Sequence, residues 1–354
     1  MARQIGDIPA AALARFREGI VIPAHPLALT TDRTLDEVRQ QALSRYYIDA
    51  GAGGLAVGVH TTQFQIRDAG LYEPVLNLAA ETAHNWSSKP LFMIAGVAGR
   101  TEQAVSEAQV AANLGYHAVL LSLAAFQGAS EDEIVAHCQL VSEEMPLVGF
   151  YLQPAVGGVP LPFTFWRRFA AIENVVGIKM APFNRYRTLD VVRGVVAAGA
   201  EERVTLYTGN DDNILLDLLT PWRLVWDRAP VDLRVKGGLL GHWSVWVRSV
   251  VDLLDQAHAA IEKDSVSQDF LALAGQITDC NAAFFDVAND FRGCIAGIHE
   301  ILRRQGLLDG IWCLEPEEGL SPGQAAEIDR VCAAYPHLND DVFVAGNLER
   351  WLTA

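Results

Sequence analysis

Short apolar segments alternate with amphipathic segments over the first two thirds of the chain. The apolar segments are rich in β-branched and small residues and predict seven strands, at 20–24, 55–59, 91–97, 118–121, 147–152, 175–180 and 204–208. The segments between them have helical periodicity, near 35–50, 72–85, 101–114, 131–144, 162–172 and 186–199. Successive strands begin roughly 30 residues apart, which is the size of one βαβ unit.

The pattern after the seventh strand is less regular. A short helix is predicted at 212–219, followed by the irregular segment TPWRLVWDRAP and by an eighth strand somewhere in 231–245. Strands that are apolar on both faces are typical of a parallel sheet covered by helices. Eight such units favour an α/β fold of the (β/α)8 TIM barrel type over an open sheet, and no GxGxxG motif follows the first strand. The rest of the chain is helical by pattern, so we predict a catalytic barrel over 1–262 and a C-terminal helical region over 263–354.

Composition narrows the class of protein. Hydrophobic residues make up 51% of the chain and charged residues 20%, which is typical of a globular protein. The net charge of −16 disfavours nucleic acids and anionic membranes as partners. The five cysteines are widely spaced without a CxxC pattern, so we expect reduced thiols and no zinc site. No long apolar stretch suggests export or a membrane span, and a cytoplasmic location is expected.

One cation stands in an unusual position. The chain has only four lysines, Lys89, Lys179, Lys236 and Lys263, and of these Lys179 alone lies inside an apolar strand. Burial lowers the pKa of a lysine from ~10.4, by up to about 3–5 units when burial is complete. A neutral amine is a nucleophile that can form a Schiff base with a carbonyl compound. The plainer interpretation is a lysine that reaches solvent or pairs with a carboxylate.

Two further elements could complete a site around this amine. Tyr151 ends the preceding strand, 28 residues before Lys179. Neighbouring strands are ~4.8 Å apart, and a phenol beside an amine can shuttle protons. Thr61 and Thr62 follow the second strand, where hydroxyl and N–H groups are suited to holding a carboxylate. Taken singly, a tyrosine at a strand end is more often a packing residue, and two threonines there more often form an ordinary turn or helix cap.

These residues lie in segments that resemble the dihydrodipicolinate synthase and N-acetylneuraminate lyase family of class I, Schiff-base aldolases. The segments are GIVIPAHPLALT, GAGGLAVGVHTT, GFYLQPAVGG, NVVGIKMAPFN and YTGNDD, in the family's order. The resemblance covers most of the chain. It implies that Lys179 forms the Schiff base, that Tyr151 relays protons, and that Thr61 and Thr62 bind the carboxylate of a 2-oxo acid such as pyruvate. It also implies a homo-oligomer, a tetramer built from dimers, and no cofactor, because the imine itself stabilises the carbanion.

The sequence departs from the family's pattern at three places. The GTTGE-like stretch is replaced by HTTQF at 60–64, and the arginine expected five residues after the tyrosine is Val156. The region in which the family has a second tyrosine reads LAAF, at 123–126. These departures favour a lyase or a dehydratase acting on another 2-oxo acid over an enzyme that uses aspartate semialdehyde.

Other residues at strand ends complete the predicted site. We expect His25, His60, Gly209 and Asn210 to bind substrate, and Phe183 and Asn184 to line the pocket.

Two alternatives remain open from the sequence. Histidines at several strand ends, His25, His60 and His242, together with Asp211 and Asp212, would fit a metal-dependent barrel hydrolase. A barrel that has lost its chemistry and only binds a ligand would fit the altered threonine stretch.

Overall fold

The architecture is a closed barrel of parallel strands. The computed structural model describes residues 2–263 and 265–353. The strands, in chain order, are β1 (Val21–Pro23), β2 (Gly54–Val57), β3 (Phe92–Val97), β4 (Ala118–Leu121), β5 (Leu147–Leu152), β6 (Val175–Ala181), β7 (Thr205–Thr208), β8 (Trp222–Trp226), β9 (Ala229–Leu233) and β10 (Val235–Leu240). Strands β8 and β9 lie outside the barrel, and the others form it. The order in the sheet is β1, β10, β7, β6, β5, β4, β3, β2. The bridge between Ala24 and Ala56 joins β1 to β2 and closes the ring. The TIM barrel predicted from the strand pattern is confirmed.

Helices cover the outside of the barrel and continue beyond it. Those of the barrel are α1 (Ala10–Glu18), α2 (Glu37–Ala50), α3 (Tyr72–Trp86), α4 (Thr101–Asn113), α5 (Glu131–Glu144), α6 (Phe163–Ala170), α7 (Arg185–Ala197), α8 (Ile214–Leu219) and α9 (Val247–Ile261). Four more follow: α10 (Gln268–Phe284), α11 (Cys294–Arg304), α12 (Gln324–Ala334) and α13 (Asp341–Thr353). Within residues 2–263 and 265–353, no helix combines the length and the apolar character that crossing a bilayer requires.

The C-terminal helices pack back onto the barrel. Helix α10 lies against α8, and α13 lies against α2. The indole of Trp351 in α13 donates a hydrogen bond to the carboxylate of Asp49 in α2 over 2.6 Å. Arg45 of α2 donates to the carbonyl of Trp351, also over 2.6 Å. These contacts fix the last helix against the outside of the barrel.

Helix α1 was not predicted, and it closes the amino-terminal end of the barrel. Its Phe16 is fully buried and stacks on Phe92, with ring centroids 4.2 Å apart. Phe16 also stacks on Tyr207 at 4.7 Å, and the Tyr207 hydroxyl donates to the Phe16 carbonyl. The opposite, carboxyl-terminal end remains available for a pocket.

The segment TPWRLVWDRAP, which has no regular hydrophobic pattern, contributes to an antiparallel hairpin. Strands β8 and β9 pair from Trp222 opposite Leu233 to Trp226 opposite Ala229. Asp227 and Arg228 form the turn, both with positive φ, 47° and 68°. The hairpin packs beside α7 and leaves the eighth barrel strand to β10, inside the range predicted for it.

Side chains on the barrel strands alternate between two cores. Phe150 belongs to the cluster inside the barrel, whereas Tyr151 belongs to the cluster between the strands and the helices. Lys179 lies opposite Phe150 in the parallel pairing of β5 with β6, and Met180 lies opposite Tyr151. This register decides which side chains can reach a pocket at the mouth of the barrel.

Candidate active site

A pocket opens at the carboxyl ends of the barrel strands. Its lining comes from the ends of six strands and from the C-terminal region: Ala24, Val59, His60, Thr61, Phe150, Leu152, Gln153, Val156, Lys179, Ala181, Phe183, Gly209, Asp211, Gly241, Phe285, Phe291 and Cys294. Active sites of TIM barrels lie at this end, because the loops that follow the strands converge there.

Lys179 provides the amine of the pocket. Its side chain projects from β6 into the barrel and the residue is only 7% exposed. The Nζ atom lies 4.4 Å from the ring centroid of Phe150. Burial lowers the pKa of Lys179 to about 8, against a partial opposing effect of Asp211 and Cys294. The neutral fraction of this amine near neutral pH is therefore larger than that of an exposed lysine.

Asp211 is the carboxylate of the same pocket. The residue is 5% exposed, and its Oδ1 accepts a hydrogen bond from the N–H of His242 at 3.2 Å. Burial raises the pKa of Asp211 to about 7, while the charge of Lys179 and the bond from His242 act in the opposite direction. A carboxyl group that titrates near neutral pH can both accept and donate a proton.

The predicted meeting of Tyr151 with Lys179 is wrong. The Tyr151 hydroxyl donates to the carbonyl of Leu161 at 3.1 Å and accepts from the N–H of Leu161 at 3.2 Å. Its ring packs against Trp166 of α6, outside the barrel. The physical reason is that side chains alternate regularly along β5, with Val148 and Phe150 inside the barrel and Tyr151 outside. An extra residue in β6, between Val175 and Gly177, brings Lys179 opposite Phe150.

The two threonines take different positions. Thr61 lines the pocket, and its hydroxyl donates to the carbonyl of Ala24 at 2.7 Å. Thr62 is fully buried outside the pocket lining; its hydroxyl donates to the His25 carbonyl and accepts from the N–H groups of Gly58 and Val59. Thr62 therefore ties the end of β2 to the end of β1, and the predicted contact of its hydroxyl with substrate is not supported by this geometry.

Only one of the two predicted histidines reaches the pocket. His60 lines it, and burial together with the charge of Lys179 lowers the pKa of His60 to about 4, which keeps its ring neutral. His25 instead lies between β1 and α2. Its ring nitrogens contact Ser44 at 2.8 Å and the Gln40 side chain at 3.0 Å. The prediction that His25 binds substrate is therefore not supported.

Of the residues predicted after the sixth and seventh strands, some line the pocket and others do not. Phe183 and Gly209 line the pocket, whereas Asn184 caps α7 and Asn210 is fixed by a buried network. The Asn210 amide donates to Thr188 and to Asp217, and its Oδ1 accepts from the N–H of Phe183 at 3.1 Å. Asn210 thus holds the Phe183 segment in place and does not reach the pocket, contrary to its predicted role.

Gly209 leaves room for the lysine. A Cβ atom at this position would lie 2.6 Å from Cε of Lys179 and 3.0 Å from its Cγ. Both distances are well below ordinary carbon–carbon contact. The path of the Lys179 side chain therefore depends on the absence of a side chain at Gly209.

Sequence reasoning missed several residues of the pocket. Asp211 stands in the segment YTGNDD, where the sequence suggests only a metal ligand, and Phe150 is paired with Lys179 by an extra residue in β6 that the sequence does not predict. Phe285, Phe291 and Cys294 come from the connection between α10 and α11 and from the first residue of α11. Burial and the nearby Asp211 raise the pKa of the Cys294 thiol well above its usual range, so it stays protonated.

The histidines and aspartates considered as metal ligands do not converge. In the part of the chain that the structure describes, no three His, Cys, Asp or Glu side chains are grouped as metal ligands would be. His242 contacts Asn281 and stacks on Phe284, away from His25.

Similarity to known proteins agrees with this fold. A 4-hydroxy-tetrahydrodipicolinate synthase from Sulfurihydrogenibium sp. is 26% identical over 183 residues, which are 51% of this chain and 59% of that protein. The match therefore spans less than two thirds of the relative's length. Dihydrodipicolinate synthase from Acinetobacter baumannii, complexed with pyruvate, superposes with a TM-score of 0.73 at 20% identity and covers 89% of this chain and 98% of its own.

A second solved structure has the same architecture. N-acetylneuraminate lyase from Fusobacterium nucleatum superposes with a TM-score of 0.70 at 17% identity, and the alignment covers 90% of this chain and 99% of that one. At such identities the structural likenesses establish the fold alone. The sequence model of the family described as "Dihydrodipicolinate synthetase family" matches residues 18–220, which are more than half of the chain. The chain belongs to the dihydrodipicolinate synthetase family.

Proposed function

We propose that the chain is a carbon–carbon lyase or aldolase that forms a Schiff base between Lys179 and a 2-oxo acid of the pyruvate type. The observation that carries the proposal is the buried Lys179 amine, which lines the pocket at the mouth of the barrel. Its pKa of about 8 leaves roughly a tenth of the amine neutral at pH 7 and more above it. Family membership supports the same chemistry, since named relatives are a synthase and a lyase.

The carboxylate of the acid would bind beside Thr61. Residues 60–62 form a short 3-10 turn after β2, and its first N–H groups have no backbone acceptor among the described residues. The hydroxyl of Thr61 is already donated to Ala24. The backbone N–H groups of His60 and Thr61 are therefore the donors that we assign to the carboxylate.

Proton transfer would fall to Asp211. The amine attacks the ketone carbon, and the carbinolamine must gain a proton to lose water and form the iminium ion. Loss of a proton from the adjacent carbon then gives an enamine. Asp211 titrates near neutral pH in the same pocket, while Tyr151 lies outside it. The iminium nitrogen serves as the electron sink, so the chain's own residues complete the cycle.

Exchange of pyruvate protons tests this proposal. In D2O the enamine takes up deuterium, so the methyl signal of pyruvate in the proton NMR spectrum should disappear at a rate that depends on the protein. Lys179→Met should abolish the exchange and Lys89→Met, which alters an exposed lysine, should leave it unchanged. Absence of exchange with pyruvate and other short 2-oxo acids would contradict the proposal and favour a ligand-binding barrel.

A homo-oligomer, dimer or tetramer, and a cytoplasmic location stay predictions from the sequence. Sedimentation velocity of the purified chain measures the first of these, and a monomer at micromolar concentration would contradict it.

A further inference from the structure

The pocket has an apolar side that the Schiff-base chemistry does not use. Leu152 and Val156 come from the end of β5 and the turn after it, and Phe183 follows β6. Phe285 and Phe291 come from the connection between α10 and α11. We call these five residues the acceptor wall. All of them share the pocket with Lys179, so a molecule that reacts with a Lys179-bound enamine would meet the acceptor wall.

Two rings of the acceptor wall are held in position by their backbones. Phe183 and Phe291 pack edge to face, with centroids 5.9 Å apart and an interplanar angle of 65°. Both have positive φ, 48° and 65°, which is rare for a bulky side chain and is found mostly where function requires it. The N–H of Phe183 donates to Asn210, and the N–H of Phe291 donates to the carbonyl of Asp286. Each ring is half-buried and lines the pocket.

The charges of the pocket disfavour a second anionic group. Among the described lining residues, Lys179 is the sole lysine or arginine and Asp211 the sole carboxylate. Lys179 becomes the iminium ion of the first substrate, so a carboxylate on the second substrate would be desolvated without a cationic partner. A polyhydroxylated second substrate would lose its hydrogen bonds with water against the acceptor wall. Aromatic rings instead pack favourably with aromatic side chains.

We propose that the second substrate is a neutral aromatic aldehyde, packed against the contacting pair of Phe183 and Phe291; this inference rests on the proposed function. In the condensing direction the enamine carbon bonds to the aldehyde carbon, and the π pair of the aldehyde moves to its oxygen, which takes a proton. Water then hydrolyses the imine and releases a 4-aryl-4-hydroxy-2-oxobutanoate and the free Lys179 amine. The cleaving direction reverses these steps, and no oxidant or reductant takes part.

The test compares aldehydes with pyruvate as the common first substrate. Benzaldehyde represents the proposed class, succinic semialdehyde carries a second carboxylate, and glyceraldehyde is polyhydroxylated. We expect kcat/KM to be highest for benzaldehyde, by at least about tenfold, which corresponds to 1.4 kcal/mol. A higher value for either other aldehyde, or no aldehyde consumption while pyruvate protons exchange, would overturn this inference and leave the proposed function standing. Absence of exchange would overturn both.

Variants of the acceptor wall locate the binding site. Phe183→Leu and Phe291→Leu keep apolar bulk and remove one ring each. We expect the ratio of kcat/KM for benzaldehyde to that for acetaldehyde to fall about tenfold in each variant. Phe163→Leu, which removes a half-buried ring outside the pocket, should keep the ratio of the parent protein. An unchanged ratio in the first two variants, with circular dichroism spectra like those of the parent, would overturn the assignment of these rings.

Discussion

The ring of Phe150 lies beneath the amine of Lys179, with Nζ 4.4 Å from the ring centroid. The two residues are direct partners in the pairing of β5 with β6, and both face the inside of the barrel. A phenyl ring attracts an ammonium group through its quadrupole, but it has no proton to transfer. The pocket thus has a buried amine without a phenol beside it. We therefore assign proton transfer to Asp211.

Tyr151→Phe should keep proton exchange of pyruvate within about twofold of the parent rate. The hydroxyl bonds only to the backbone of Leu161 and is separated from the pocket by the strand itself. Its removal leaves a buried N–H and carbonyl without a partner, so the free energy of unfolding should fall by about 1–3 kcal/mol. Exchange rates and urea unfolding measure the two effects. A loss of exchange beyond tenfold in a folded variant would restore Tyr151 to a catalytic role.

Asp211→Asn should change the pH dependence of Schiff-base formation. The rate should rise with pH through the pKa of Lys179, about 8, because only the neutral amine attacks. Asp211 raises the Lys179 pKa by its negative charge, so its neutralisation should shift this rise to lower pH. The maximal rate should nevertheless fall, since the proton carrier is lost.

The control for that variant is Asp255→Asn, which alters an exposed carboxylate outside the pocket lining. Its profile should follow that of the parent. Were the Asp211→Asn profile to coincide with the parent's in both position and height, Asp211 would have no part in the reaction.

Gly209→Ala should impair the reaction far more than it affects folding. The new methyl group would lie 2.6 Å from Cε of Lys179, and the side chain must move to relieve this contact. Displacement of a reacting group by about 1 Å can cost roughly a hundredfold in rate. The exchange assay gives the rate, and Gly275→Ala, whose methyl would meet nothing within 4 Å, is the matched control. Exchange at the parent rate would show that the path of Lys179 does not depend on Gly209.

Asn210→Ala should destabilise the protein by about 2 kcal/mol, through the loss of hydrogen bonds that leaves Asp217 and the Phe183 N–H short of partners. Asn77→Ala, which removes an exposed amide bonded to Glu81, should have an effect within about 0.5 kcal/mol. The midpoint of urea unfolding measures both. Equal stabilities of the two variants would contradict the structural role of Asn210.

The sequence predicts the barrel because its strands are apolar on both faces and recur at the length of one βαβ unit. It does not predict the hairpin β8–β9, since Asp227 and Arg228 form its turn where glycine or asparagine would give the usual signal. Helix α1 lacks a strong amphipathic pattern, and it is held in place by the contact of Phe16 with Phe92 inside the barrel.

The site was predictable only in part, for a reason of register. Lys179 is conspicuous because its neighbours in β6 are apolar, and this observation does not depend on how β6 pairs with β5. The pairing of Lys179 with Phe150, and not with Tyr151, depends on one extra residue in β6 between Val175 and Gly177, and such a shift reverses the face that the following side chains occupy. Phe285 and Phe291 reach the pocket through the packing of α10 on α8, which no local pattern encodes.

Whether Lys179 forms the Schiff base is tested most directly by finding which lysine carries the pyruvate adduct. The protein is incubated with pyruvate, reduced with borohydride, digested and mapped by mass spectrometry, with the other three lysines, Lys89, Lys236 and Lys263, as internal controls. We expect a reduced pyruvate adduct on Lys179 and on none of the other three. Adducts spread over all four lysines, or found only outside the pocket, would contradict it.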